Sequence, residues 1–192
     1  MENRIIEIVM ASAKVKTDLC ADPSTISTIA ACAAMLTRVL QRGQRIYLCG
    51  NGGSAADAQH IAAELTGRFA FDRPALSAEA LHCNTSYLTA VGNDYGYEFI
   101  YERLVKGIGR SGDALIGLST SGNSANVIRA LAAARDLGME TISLTGKNGG
   151  NMRDLSDIWI GVPSDATPRI QEAHILIGHI LCEFVEEAMF KH

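Results

Sequence analysis

Four hydroxyls fall within six positions of the segment LSTSGNSANV: Ser119, Thr120, Ser121 and Ser124. They follow an apolar run ending at Leu118 and precede a helical pattern, so strand, loop and helix N-terminus come in succession. The free amides and positive end of a helix favour an anion, the hydroxyls add donors, and Gly122 permits close approach. This is the composition of a phosphate site. An ordinary Ser/Asn helix cap draws on the same residue types, but a cap needs one such residue and here there are four.

A second loop, Gly50-Asn51-Gly52-Gly53-Ser54-Ala55, follows the apolar run YLC in the same way and formally matches GxGxxA. A dinucleotide site would also need an acidic residue ~20 positions on, ending the next strand. Glu64 falls inside the helix, Asp72 precedes Pro74 in a loop, and Glu79 lies within a strand pattern, so the match is weak. A Walker A loop is excluded, since Lys147 is followed by Asn148 rather than Ser or Thr.

His60 and Glu64 stand at i and i+4 in SAADAQHIAAELTG, so a helix projects both from one face above the glycine loop. A surface His–Glu pair is the plain reading, and proximity to two anion-type loops favours the functional one. RIQEAHILIGHIL carries Arg169, Gln171, Glu172, His174 and His179 among apolar neighbours. Gln171 and His179 are eight apart, about 80° in angle and ~12 Å in rise, so they share a side but not a turn. Spacing alone does not nominate them as a ligand pair. His174 reads as a core histidine bonded to a backbone carbonyl, and His179 stays open between that and a functional role.

The elements that must hold these residues alternate short apolar runs with helical stretches from Arg45 onward, the pattern of a parallel sheet covered by helices. The strands are expected at Ile46–Cys49, Leu76–Leu81, Ala114–Leu118, Thr141–Leu144 and Ile158–Val162, and helices around 54–66, 97–108, 124–137 and 169–190. Two further helices, 2–19 and 25–42, precede the sheet, with Pro23 as break and Ser24 as cap. Both read as largely apolar, and the second carries a broad stripe at helical spacing that needs a partner, another subunit being one candidate. At 192 residues with 47% apolar composition the chain fits one domain with its own core.

Net charge is −4, from 17 Lys and Arg against 21 Asp and Glu. The basic residues are scattered, so nucleic acid is not an expected ligand. The five cysteines, Cys20, Cys32, Cys49, Cys83 and Cys182, never form CxxC and read as buried free thiols of a reducing compartment. MENRIIEIVMASAKVK lacks the features of a signal peptide, and no run reaches the ~18 consecutive apolar residues of a membrane span. A cytoplasmic location without membrane contact is the expectation.

Taken together, CGNGGSAADAQHIAAELTGRF, AVGNDYGYEF, LSTSGNSANV, SLTGKNGG and VPSDATPRIQEAHILIGHIL resemble the phosphoheptose isomerase group of the sugar isomerase (SIS) family over nearly the whole length. The resemblance implies a single SIS domain over 1–192. Its α/β fold would have three layers, with a five-stranded parallel sheet flanked by helices. Residues 1–42 would form N-terminal helices used in oligomer packing. It implies interconversion of sedoheptulose 7-phosphate and D-glycero-D-manno-heptose 7-phosphate through an enediol, the entry to nucleotide-activated heptose for the bacterial envelope. Carried over by position, zinc ligands fall on His60, Glu64, Gln171 and His179, and acid/base roles on Glu64 and His179. Substrate contacts fall on Asn51, Gly52, Gly53, Glu64, Asn93, Asp94, Ser119, Thr120, Ser121, Ser124 and Gln171. The family also implies a homotetramer with active sites at subunit boundaries. Two alternatives are a non-catalytic SIS module that binds a replication initiator, which lacks the catalytic glutamate and histidine, and an isomerase or sensor of another sugar phosphate.

Overall fold

Five short apolar runs become the strands of one parallel sheet, and their alternation sorts the core into two faces. The computed structural model describes residues 1–191. The strands are β1 (Ile46–Cys49), β2 (Ala78–Ala80), β3 (Ala114–Ser119), β4 (Glu140–Gly146) and β5 (Ile158–Val162). Their order is β2-β1-β3-β4-β5. All neighbours run parallel, with Ile46 between Ala78 and Ala114 and with Ser119 opposite Thr145. Ile46, Leu48, Ile116, Leu118 and Leu144 face one layer, whereas Tyr47, Cys49 and Leu115 face the other.

The helices are α1 (Glu2–Cys20), α2 (Pro23–Gln41), α3 (Gly53–Thr66), α4 (Thr85–Asp94), α5 (Ile100–Ile108), α6 (Ala125–Asp136) and α7 (Thr167–Phe190). Residues of α1, α2, α3 and α7 fill the first layer, and residues of α4, α5 and α6 the second. The chain leaves β1 for the edge strand β2 and returns to β3 on β1's other side, so strand order reverses between β1 and β3. Ligands of open α/β sheets collect beyond the carboxyl ends at such a point, where the loops after β1 and β3 both lie.

Several expected boundaries shift for identifiable reasons. β2 pairs over only three residues, because Leu76 N–H bonds to the Leu65 carbonyl at 3.1 Å and draws the start of the expected strand onto α3. The cap of α2 is Asp22, which accepts from Ser24 N–H at 3.0 Å with Pro23 in the first turn, so Ser24 lies inside the helix. α4 was not expected. Its cap, Asn84, accepts from Tyr87 N–H at 3.1 Å, but Val91 is its one buried residue, which leaves little apolar stripe to read. The helix expected over 97–108 begins with a 3₁₀ turn, Tyr97–Phe99, before α5. Cys32, Cys49 and Cys182 are buried free thiols, but Cys20 and Cys83 are exposed, contrary to the reading of all five as buried.

The N-terminal helices differ from each other. On α1 the side chains of Ile5, Ile6, Ile8, Val9 and Met10 are exposed, and only Val15 and Leu19 are buried. By length and hydropathy α2 is the one helix among the described residues that matches a membrane span. Its Ile29, Cys32, Leu36 and Val39 are instead buried in the first layer of the core. Where α3 meets α7 the contact is at the limit of approach: a Cβ on Gly178 would stand 2.4 Å from Ile61 Cδ1.

Candidate active site

The loop after β1 is held by its neighbours. Tyr101 donates its hydroxyl to the Gly50 carbonyl at 2.5 Å. Asn51 and Asn126 exchange amide hydrogen bonds at 2.9 and 2.8 Å, clasping the start of α3's loop to the first turn of α6, and Tyr97 donates to Asn51 Oδ1 at 3.1 Å. The Asn51 side chain is thereby engaged within the protein, while Gly52 and Gly53 are exposed. Gly52 adopts φ +53°, and a Cβ on Gly53 would stand 2.7 Å from Gln171 Nε2. The missing side chain lets the Gln171 amide lie directly on the loop.

The loop after β3 draws its hydroxyls together. Ser119 Oγ, nearly buried, lies 2.8 Å from Ser124 Oγ and 3.4 Å from Ser121 Oγ. Ser124 occupies the N-cap of α6, yet its hydroxyl makes no cap bond. The hydroxyl thus faces the other serines, which separates this loop from an ordinary helix cap. Gly122 is required by geometry, since φ is +67° and a Cβ would fall 2.0 Å from the Gly149 carbonyl oxygen. Beside the loop lies a cavity of about 190 Å³ whose lining includes Thr120, Ser121, Gly146, Lys147, Ser164 and Asp165. Lys147 pairs there with Asp165. It sits in a stretch that reads as a flexible turn, and its position right after the end of β4 is what brings it to the cavity wall.

Away from the serine loop, α3 and α7 bring three of the expected residues together. His60 Nε2 is 3.0 Å from Glu64 Oε1 and 3.4 Å from His179 Nε2. One donor atom from each of His60, Glu64 and His179 lies within 4.8 Å of the others. Two imidazole nitrogens and a carboxylate oxygen match the ligand preference of zinc, so these residues fit the metal. Gln171 is the fourth expected ligand, and its amide rests against Gly53, seven residues before His60 on α3.

His174, between them, is fully buried and bonds through Nε2 to the Thr145 carbonyl at 3.2 Å. Burial pushes its pKa down to about 4, against the pull of that carbonyl. It is the core histidine that its surroundings in the sequence indicated, and His179 is not. Asn93 and Asp94 close α4. Both are exposed, Asn93 donates to Asp94 at 2.8 Å, and among the described residues no hydrogen bond joins them to either loop or to the cluster. Asp57, one turn before His60, escaped sequence reasoning. One of its carboxylate oxygens is buried without a partner, and burial raises its pKa despite nearby His60.

Comparison with known proteins gives one answer. The SIS domain model matches residues 19–146. The phosphoheptose isomerase of Aneurinibacillus thermoaerophilus is 50% identical over 192 residues, covering 100% of this chain and 97% of the relative. That of Sulfurimonas denitrificans is 46% identical over 190 residues, covering 99% and 97%. Among solved structures, phosphoheptose isomerase GmhA from Neisseria gonorrhoeae superposes with a TM-score of 0.91 at 41% identity, over 97% of this chain and 98% of the other. A hydroxyl-lined loop, a histidine–glutamate cluster and full-length similarity agree, and the chain belongs to the SIS domain family, in its phosphoheptose isomerase group.

Proposed function

We propose that the protein interconverts sedoheptulose 7-phosphate and D-glycero-D-manno-heptose 7-phosphate. The observation that carries this reading is the meeting of Glu64 and His179, beside His60, in a chain that also presents a hydroxyl-lined anion loop at the switch point of its sheet. Ser119, Thr120, Ser121 and Ser124 hold the phosphate, with Lys147 adding positive charge at the cavity. Gly52, Gly53 and Gln171, together with Asn51, Asn93 and Asp94, contact the sugar. Anchoring at the phosphate end positions C1 and C2 for reaction.

Conversion of ketose to aldose moves a proton from C1 to C2 through an enediol. Glu64 takes the proton from C1, and His179 delivers one to the oxygen at C2, the paired roles of general acid–base catalysis. Return of the proton from Glu64 to C2, with loss of the proton on the C1 oxygen to His179, completes the aldose and resets both groups. His60, Glu64 and His179 would hold zinc, with Gln171 as the further donor. When bound, the metal polarises the carbonyl and stabilises negative charge on the enediolate oxygens.

The reading extends to a homotetramer with active sites at subunit boundaries, in the cytoplasm, at the first step of nucleotide-activated heptose synthesis. The exposed apolar face of α1 supports assembly, and the free cysteines fit a reducing compartment. Incubation with sedoheptulose 7-phosphate, followed by NMR, should show the aldoheptose phosphate accumulating. A folded tetramer yielding no product would overturn the assignment in favour of a non-catalytic binding module.

A further inference from the structure

Glu186 lies on α7 two turns beyond His179, and its carboxylate is almost wholly buried against Arg73, which is equally buried. One oxygen accepts from Phe69 N–H at 2.9 Å and Arg73 Nε at 2.9 Å, and the other from Ala70 N–H at 2.7 Å. Arg73 spends its remaining donors on backbone carbonyls at the end of α3 and just beyond it. Its Nη2 donates to the Glu64 carbonyl at 2.9 Å, and Nη1 to the carbonyls of Leu65, Gly67 and Pro74 at 2.7, 3.1 and 3.0 Å. The pair therefore joins the last turn of the helix that carries His60 and Glu64 to the helix that carries His179. It also sets the backbone of Phe69, whose ring lies 5.7 Å from the His179 ring.

Burial by itself would raise the Glu186 carboxyl, but the N–H groups of Ala70 and Phe69 and the Arg73 guanidinium outweigh it and hold the group below its ordinary value. Every side-chain nitrogen of Arg73 and both oxygens of Glu186 have a hydrogen-bond partner. A buried ion pair contributes little net stability compared with apolar residues of the same volume, because desolvation offsets attraction. Closing the exposed carbonyls at the end of α3 needs a Gly or a surface cation rather than a fully buried fork.

We infer that Arg73 and Glu186 are positioning residues for the reaction, fixing Glu64 and His179 relative to each other across the α3–α7 contact and seating Phe69 against the His179 ring. The inference rests on the isomerase reading above. The pair touches neither the serine loop nor the glycine loop, so it governs turnover and metal retention rather than phosphate binding.

Arg73→Lys keeps the charge facing Glu186 but loses the planar fork that reaches three helix-end carbonyls. In the purified full chain, with circular dichroism confirming the fold at assay temperature, kcat should fall about tenfold or more and zinc affinity, read by competition with a chromophoric chelator, should weaken about tenfold. KM should stay within about twofold of the parent. Phe69→Leu removes the ring without touching the ion pair and should lower kcat with KM unchanged; it decides the matter if Arg73→Lys does not fold. Parent-like kcat and zinc affinity in the folded variants, even with a lower melting temperature, would reduce the pair to a structural role and overturn the inference. An inactive parent would instead sink the isomerase reading, and the zinc competition would still test the positioning of the cluster.

Discussion

The serine loop and the histidine–glutamate cluster are built on opposite principles. The loop is six consecutive residues in which the hydroxyls of Ser119, Ser121 and Ser124 converge around one tight turn, enforced at Gly122. The cluster unites residues 119 positions apart, and no local rule brings His60 to His179. Helix packing does so, through the seat of Ile61 against Gly178 and the ties of Arg73 and Glu186. A contiguous site tolerates changes elsewhere in the fold, whereas a composite site depends on the distance between two helices.

If that division is right, substitutions in the two regions should fail in different kinetic terms. The largest effect belongs to the cluster. Glu64→Gln and His179→Ala should each lower kcat at least ~100-fold while the circular dichroism spectrum is unchanged; near-normal turnover in either would remove that residue from the proton transfer.

A medium effect belongs to α7, which the two regions share. His174 is held neutral when folded, with a pKa of about 4 against an ordinary 6.5. Between those values the unfolded chain binds more protons, so stability falls as pH drops through that window. Lowering the pH from 7 to 5 should cost the parent about 2 kcal/mol more than it costs His174→Gln in urea denaturation, roughly thirtyfold in the folding equilibrium. Equal acid sensitivity in the two proteins would remove His174 as the cause.

The smallest effect belongs to the loop. Ser119→Ala removes one hydroxyl donor to a charged group and should raise KM about tenfold with kcat within about twofold. A larger loss in kcat than in KM would erase the distinction between the regions.

The same contrast explains what could be read from the chain beforehand. Strands β1, β3, β4 and β5 are short buried runs bounded by turn residues, and both ligand loops follow them directly, so element and chemistry coincide in sequence. α4 could not be read because Val91 is its one buried residue, with Tyr87 and Leu88 only partly buried, and the start of β2 was misplaced because Leu76 bonds to α3. His60 and Glu64 were legible as an i, i+4 pair. Their partner was not, since spacing along α7 does not single out His179, and its neighbour His60 belongs to another helix. Arg73 and Glu186 left no local signature at all: one sits in a loop and the other near the end of an apolar helix.

Gly178 has a consequence for how such a protein can change over time. The spacing of the two donor-bearing helices is set by a hydrogen atom where any other residue would present a methyl group to Ile61. Matched exchanges at these two positions, neither of which is a candidate ligand, would therefore act as a vernier on the grip between His60 and His179. The composite site can be retuned by drift in its packing while every functional side chain stays the same.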